Sequence, residues 1–215
     1  MSTATNIKTL RERSGAGILD CKKALNESGG DLDAAMDWLR AKGIASAAKK
    51  SGRIASEGLV GSYIHANGKI GVLLEVNCET DFVALNDGFQ GLVRDIAMHI
   101  AASAPEYVSR DDVPSDVAEK ERSVQLARTI EEGKPEHIAE KIVEGRMNKW
   151  FQDICLLEQK YVKDDEKTVE QIVQDSVATI GENIKIRRFS RYVLGEGLEK
   201  RSDDFASEVA AQAGL

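Results

Sequence analysis

Apolar positions change period several times along the chain, and each change predicts a different element. Ile70, Val72, Leu74 and Val76 recur at every second position, with Lys69, Gly71, Glu75 and Asn77 between them. That alternation predicts a half-buried strand. A second apolar run, Leu59-Val60 to Ala66, precedes it, and Asn67-Gly68 separates the two. Asn-Gly in that place predicts an antiparallel hairpin, because both central residues of a type I′ turn need positive φ.

Before the hairpin the period is helical. Ile7, Leu10 and Arg11 begin a short amphipathic helix that Ser14-Gly15-Ala16-Gly17 interrupts. Ile18, Cys21, Ala24 and Leu25 repeat at helical spacing up to Gly29-Gly30, and Asp31 is placed to cap a third helix with Leu32, Ala35, Met36 and Leu39 on one face and Trp38 beside it. Helices this short must pack together to persist, so residues 1–53 are expected to form a three-helix bundle ending in a basic linker. The linker reading rests on Arg40, Lys42, Lys49, Lys50 and Arg53, which occur without an acid among them.

After the hairpin, Asn86 can cap a helix that turns Phe89, Leu92, Val93, Ile96 and Ile100 inward and ends before Pro105. Hairpin, loop and helix make a first core segment, residues 54–112. Val117, Val124 and Ile130 give a loose stripe; beyond a turn, Val143, Met147, Trp150, Ile154, Leu157 and Tyr161 are spaced 4, 3, 4, 3, 4. That spacing is a heptad seam and predicts an antiparallel coiled-coil hairpin over residues 113–161, with Met147 and Trp150 as packing residues and Cys155 at its flank. In residues 162–215, Thr168 and Gln171 form a capping box for a helix faced by Val169, Ile172, Val173, Val177 and Ile180 and ended by Gly181. A strand follows, with Ile184, Ile186 and Arg188 on one face and Lys185, Arg187 and Phe189 on the other, running through Tyr192 to Leu194; Gly195 and Gly197 turn the chain toward a closing helix at S-D-D-F-A-S-E-V-A-A-Q. The fold class is α+β.

Composition narrows the function. The chain has 215 residues, 42% hydrophobic and 30% charged, and no apolar run nears the roughly 20 residues of a membrane span. M-S-T-A-T-N-I-K has no apolar stretch of a secretory signal. Cys21, Cys78 and Cys155 are an odd, widely spaced set, which favours buried free thiols in a reducing compartment, the cytosol or an organelle of bacterial type. The net charge is −7 and aromatics are 5%, so a protein partner is expected in preference to nucleic acid. Arg187, Arg188, Arg191 and Arg201 make a basic patch through which a rival RNA-binding role could act. No phosphate loop, dinucleotide fingerprint, nucleophile elbow or metal-spaced cluster is present, so neither enzyme chemistry nor a cofactor is expected. A lone His99 in a last helical turn reads as a packed or dipole-satisfying residue.

The stretch C-E-T-D-F-V-A-L-N, Cys78 to Asn86, joins the hairpin to the next helix. Asp81 and Phe82 sit where the chain must turn, either as a staple folded into the core or as a wedge for another molecule. I-K-T-L-R-E-R-S-G-A-G-I-L-D-C-K-K-A-L near the start, T-D-F-V-A-L-N in the middle and G-E-G-L-E-K near the end together resemble the elongation factor Ts family over nearly the whole chain. Leu85 stands where that family more often has a basic residue.

The resemblance implies a guanine-nucleotide exchange factor acting on elongation factor Tu, with a bundle similar to ubiquitin-associated domains. It implies that Thr80, Asp81, Phe82 and Val83 disturb the partner's Mg²⁺ site, and that Leu10, Ile18, Leu19 and His99 contribute further contacts. Ile18 and Leu19 carry an independent hint, since neighbours on a helix cannot both face one core. Family members also carry a helical hairpin associated with dimer contacts. Long members have a duplicated core; this chain has material for about one copy and resembles the short form, which implies a homodimer.

Overall fold

Three helices open the chain in the computed structural model, which describes residues 3–133 and 135–199. They are α1 (Thr3–Ser14), α2 (Ile18–Glu27) and α3 (Leu32–Lys50). Asp31 caps α3 by accepting from the backbone N–H groups of Asp33 and Ala34. Leu10, Cys21, Ala24, Leu25 and Ala35 are enclosed between the helices, with Ile7, Met36, Trp38 and Leu39 packed around them.

The basic stretch expected as a linker is helical instead, because α3 continues to Lys50. Its second half, A-K-G-I-A-S-A-A-K-K, is rich in alanine, the best helix former, and its small residues let a neighbour approach. A Cβ on Gly43 would come within 3.3 Å of the Ala178 Cβ, and Ala47 belongs to the main core. One helix therefore serves both the bundle and the core.

The hairpin is β1 (Glu57–His65) and β2 (Ile70–Cys78), paired antiparallel from Glu57↔Cys78 to His65↔Ile70. Asn67 and Gly68 both have positive φ, 55° and 71°, as the Asn-Gly pair predicts, within a four-residue loop, Ala66 to Lys69. Next come a single turn, α4 (Asp81–Ala84), and α5 (Asp87–Ser103), whose predicted cap Asn86 accepts from Gly88 and Phe89 N–H. Phe89, Leu92, Val93, Ile96 and Ile100 face inward as their spacing requires. α5 lies so close to β1 that a Cβ at Gly61 would sit 2.4 Å from Val93 Cγ1.

α6 (Ser115–Glu131) and α7 (Glu136–Ile154) form the predicted helical hairpin. Its seam differs from the expected one. Val143, Met147 and Ile154 are buried, but Val124 and Ile130 on α6 are exposed. Thr129 faces α7 instead, accepting a hydrogen bond from Arg146, which also pairs with Glu132. Gln125 and Thr129, four residues apart, are polar and leave no mark in the apolar periodicity. The last two heptad positions also leave the helix: Cys155 is extended, Leu157 lies in a 3₁₀ turn and Tyr161 in a strand, so the hairpin ends before residue 161. Leu156, Leu157 and Tyr161 pack with the main core.

The two short strands β3 (Lys160–Tyr161) and β4 (Asp164–Thr168) lead into α8 (Val169–Ile180), opened by the predicted Thr168–Gln171 capping box and ended by Gly181 at φ 96°. β5 (Lys185–Val193) pairs antiparallel with β2, giving a three-stranded sheet in the order β1-β2-β5. Its face assignment changes halfway. Glu75 pairs with Arg188 while Val76 pairs with Ile186, so Arg187 is the extra residue of a β-bulge. Beyond the bulge the parity flips: Phe189 packs against the core and Arg188 turns out. Periodicity has no signal for an inserted residue, and the expected faces fail from Arg187 onward for that reason. The closing helix expected at Ser202–Gln212, and Arg201, lie outside the described residues. Among the described residues no helix is long and apolar enough to cross a membrane.

Candidate functional site

Where β2 ends, the chain must leave the sheet and start a helix within a few residues. Thr80 makes this possible: its backbone is extended and its hydroxyl accepts the Val83 N–H, capping the one-turn α4. A single helical turn has one face to bury. Val83 and Ala84 use it against the core, which leaves Asp81 and Phe82 pointing out. Phe82 is 81% exposed, and Leu85 beside it is exposed as well. Phe82 is therefore not a staple folded into the core, which would have enclosed the ring.

The turn is held from below by residues remote in sequence. Glu182, just past the end of α8, accepts from the backbone N–H groups of Glu79 and Thr80, both at 3.0 Å, and from the Thr80 hydroxyl at 2.6 Å. Glu79 returns the contact by accepting from the Asn183 N–H at 2.7 Å and from the Arg53 guanidinium at 3.4 Å. No motif marked these residues, because the two loops lie more than 100 positions apart.

The other predicted contact residues divide. Ile18 and Leu19 are 57% and 78% exposed at the start of α2, so neither faces the bundle core. Leu10 is 0% exposed and forms part of that core, so it offers nothing to a partner. The three helices enclose few large side chains, and Leu10 and Leu25 are the two leucines among them. His99 is also fully buried. Its Nδ1 accepts the Val162 N–H at 3.2 Å, which leaves the proton on Nε2, 2.9 Å from the Gln159 carbonyl oxygen. The Gln159 amide nitrogen donates to Asp153 and Ser103 carbonyls, fixing its orientation. The resemblance to the family placed His99 at a contact; in the chain its ring ties α5 to the segment before β4.

Burial lowers the His99 pKa from its ordinary 6.5, against the opposing effect of its hydrogen bond to the Gln159 side chain. The unfolded state then binds the proton more readily than the native state. Stability from this group is complete above 6.5 and is lost as pH falls below it, by up to about 1.4 kcal/mol per pH unit. Urea midpoints measured between pH 7.5 and 5.5 are expected to fall on acidification, and a His99→Gln variant to show a flatter slope; equal slopes would refute the assignment.

The remaining polar chemistry is structural. Burial first, and Glu158 second, push the Cys155 thiol up to about 11, and burial raises Cys78. All three cysteines are buried and free, and a buried thiol with a raised pKa is a poor nucleophile. Among the described residues no group of His, Cys, Asp and Glu gathers to hold a metal ion. The arginines of β5 are tied to acceptors in the chain: Arg187 and Arg188 each reach a Glu75 oxygen at 2.7 Å, and Arg191 donates to the Ala101 carbonyl near the end of α5. These two hydrogen bonds, Arg187 before Arg188, hold the Glu75 carboxyl below its ordinary pKa.

Known proteins resemble the chain along nearly its whole length. A family model described as Elongation factor TS matches residues 46–196. An elongation factor Ts of Geobacter metallireducens is 63% identical over 213 residues, covering 99% of each chain. Those of Geobacter sulfurreducens and Desulforamulus reducens are 60% and 59% identical, covering 99% of both chains and 98% and 97% respectively. The chain belongs to the elongation factor Ts family.

Proposed function

We propose that the protein is a guanine-nucleotide exchange factor that binds elongation factor Tu and promotes release of GDP during translation elongation, without covalent chemistry of its own. The observation that carries this reading is the exposed Phe82, presented with Asp81 on a capped turn, in a chain of this family. A G-protein holds its nucleotide through backbone amides, a lysine and Mg²⁺. An aromatic wedge entering beside the metal, with a carboxylate next to it, competes with the metal's ligands and water. Thr80 and Val83 shape the turn, and Ile18 and Leu19 supply a second apolar contact. Leu10 belongs to the core of the bundle that presents Ile18 and Leu19, and His99 holds the end of α5 to the segment before β4.

The coupling is reciprocal: to the extent that the chain weakens nucleotide binding, nucleotide weakens binding of the chain. Weakening nucleotide affinity 10⁴-fold needs about 5.5 kcal/mol of differential binding. Burying one Phe ring contributes about 1.5–3 kcal/mol. The wedge therefore needs the bundle contact.

The reading extends to a homodimer. The outer face of the sheet carries Val60, Ile64, Leu73 and Tyr192, all exposed, and among the described residues nothing of this chain covers them. Such a patch favours association, and two copies stacked face to face would form a sandwich with the Glu75–Arg187–Arg188 cluster at its polar part. Sedimentation is expected to show wild type as a pair and Leu73→Asp as single chains; a monomeric wild type with full exchange activity would remove the dimer from the mechanism.

The function itself is tested by release of a fluorescent GDP analogue from elongation factor Tu. Acceleration by the chain supports exchange. No acceleration together with salt-sensitive RNA binding would favour an RNA-associated role, and partner binding without acceleration a peptide-binding adaptor built on the bundle. The working location is the cytoplasm of a bacterial-type cell or organelle, where this partner and reduced thiols are found.

A further inference from the structure

The exchange reading leaves one half-buried arrangement unexplained. Glu182 follows the left-handed cap Gly181, where a helix end needs no carboxylate; acids favour helix N-termini. Its two oxygens are spent on the far loop, accepting from Glu79 N–H, Thr80 N–H and the Thr80 hydroxyl. With its proton committed to Glu182, the Thr80 oxygen keeps a lone pair for Val83 N–H, the bond that starts the turn carrying Phe82. The adjacent Asn183 continues the chain of contacts. Its amide nitrogen donates to the Arg53 carbonyl at 2.8 Å and the Ser51 carbonyl at 3.4 Å, just beyond the end of α3. Glu79 closes the ring by accepting from Asn183 and Arg53.

We infer that Glu182 is a positioning residue for exchange: it fixes the direction in which Phe82 projects and, through Glu79 and Asn183, locks that turn to the end of α3. The inference rests on the exchange reading above. α3 also belongs to the bundle that carries Ile18 and Leu19. The ring of hydrogen bonds thus sets the separation between the two contact surfaces before the partner arrives. Charge-assisted bonds to consecutive N–H groups are the stronger kind, and they fix a loop that would otherwise have to be ordered during binding. A one-turn helix with a single hydroxyl cap has little of its own to hold it.

The test compares wild type, Glu182→Ala and Glu182→Gln as full chains. Saturating exchange assays give the maximal rate of GDP release and the half-saturating concentration; amide hydrogen exchange on the free chains reads protection at Glu79, Thr80 and Val83. Glu182→Ala is expected to lower the maximal rate about ten-fold or more while leaving the half-saturating concentration within about three-fold, because a misaimed group costs rate more than encounter. Glu182→Gln keeps one carbonyl oxygen for the two N–H groups and should fall between, which also preserves the test should the alanine variant not fold. Faster amide exchange confined to residues 79–86 and 51–54 is expected in both variants. An unchanged maximal rate, where wild type accelerates release and Phe82→Ala does not, overturns the inference and leaves the exchange function standing. A wild type that does not accelerate release overturns the exchange function. In that case the amide arm still decides the clamp, and unchanged protection at Glu79 and Thr80 overturns it.

Discussion

Phe82→Ala is expected to slow chain-stimulated release of GDP from elongation factor Tu by about 10- to 150-fold while the fold keeps its stability. The range is the burial energy of one Phe ring, about 1.5–3 kcal/mol, converted to a rate. The ring is 81% exposed in the free chain, so its removal creates no cavity, and the melting transition should shift by less than about 0.5 kcal/mol. The cap at Thr80 and the contacts of Val83 do not involve the ring and should persist. Stopped-flow release at saturating chain, paired with a denaturation curve, checks both halves. A variant that releases nucleotide as fast as an active wild type would end the wedge mechanism and shift the function to the bundle.

Phe89→Ala should do the reverse. Seven positions further on, this ring is 0% exposed, at the start of α5, in the core that also holds Leu74, Ile96 and Val173. Truncating a buried Phe costs about 3–5 kcal/mol through lost transfer energy and the cavity left behind. Domains have only about 5–15 kcal/mol in total, so a large part of the folded population is at stake. The site would suffer with the fold, because α5 begins at Asn86, directly after the turn carrying Phe82. Urea unfolding is the measure; a loss below about 1 kcal/mol would mean that the core relaxes into the space and that α5 is not the base of the site. Comparing the two substitutions separates binding from folding with one chemical change.

Much of this contrast was legible in the sequence. Helical spacing put Phe89 inward through its companions Leu92, Val93 and Ile96. Asp31, Asn86 and Thr168 were readable as caps because capping is a local transaction between a side chain and an amide two or three residues on. The hairpin followed from Asn67-Gly68 for the same reason. The exposed pair Ile18-Leu19 followed from helix geometry, although the structure goes further by exposing both.

Other features depend on residues far apart. Arg187 became a bulge because Val76 and Glu75 could each keep a partner on β5 only by skipping one residue. Basic charge suggested a linker at Arg40–Arg53, whereas helix propensity and the close approach of Gly43 to Ala178 kept α3 going. Leu10 and His99 were expected at a surface on resemblance alone, and packing enclosed them. By itself the sequence determined where α3, α5 and α8 start and are capped, the hairpin and the position of Asp81-Phe82 at a turn, all set by interactions within a few residues. Tertiary structure alone decided that Phe82 points outward and that Glu182 holds it there, because exposure and long-range hydrogen bonds exist only once α8, β2 and α3 have been brought together by the core they share.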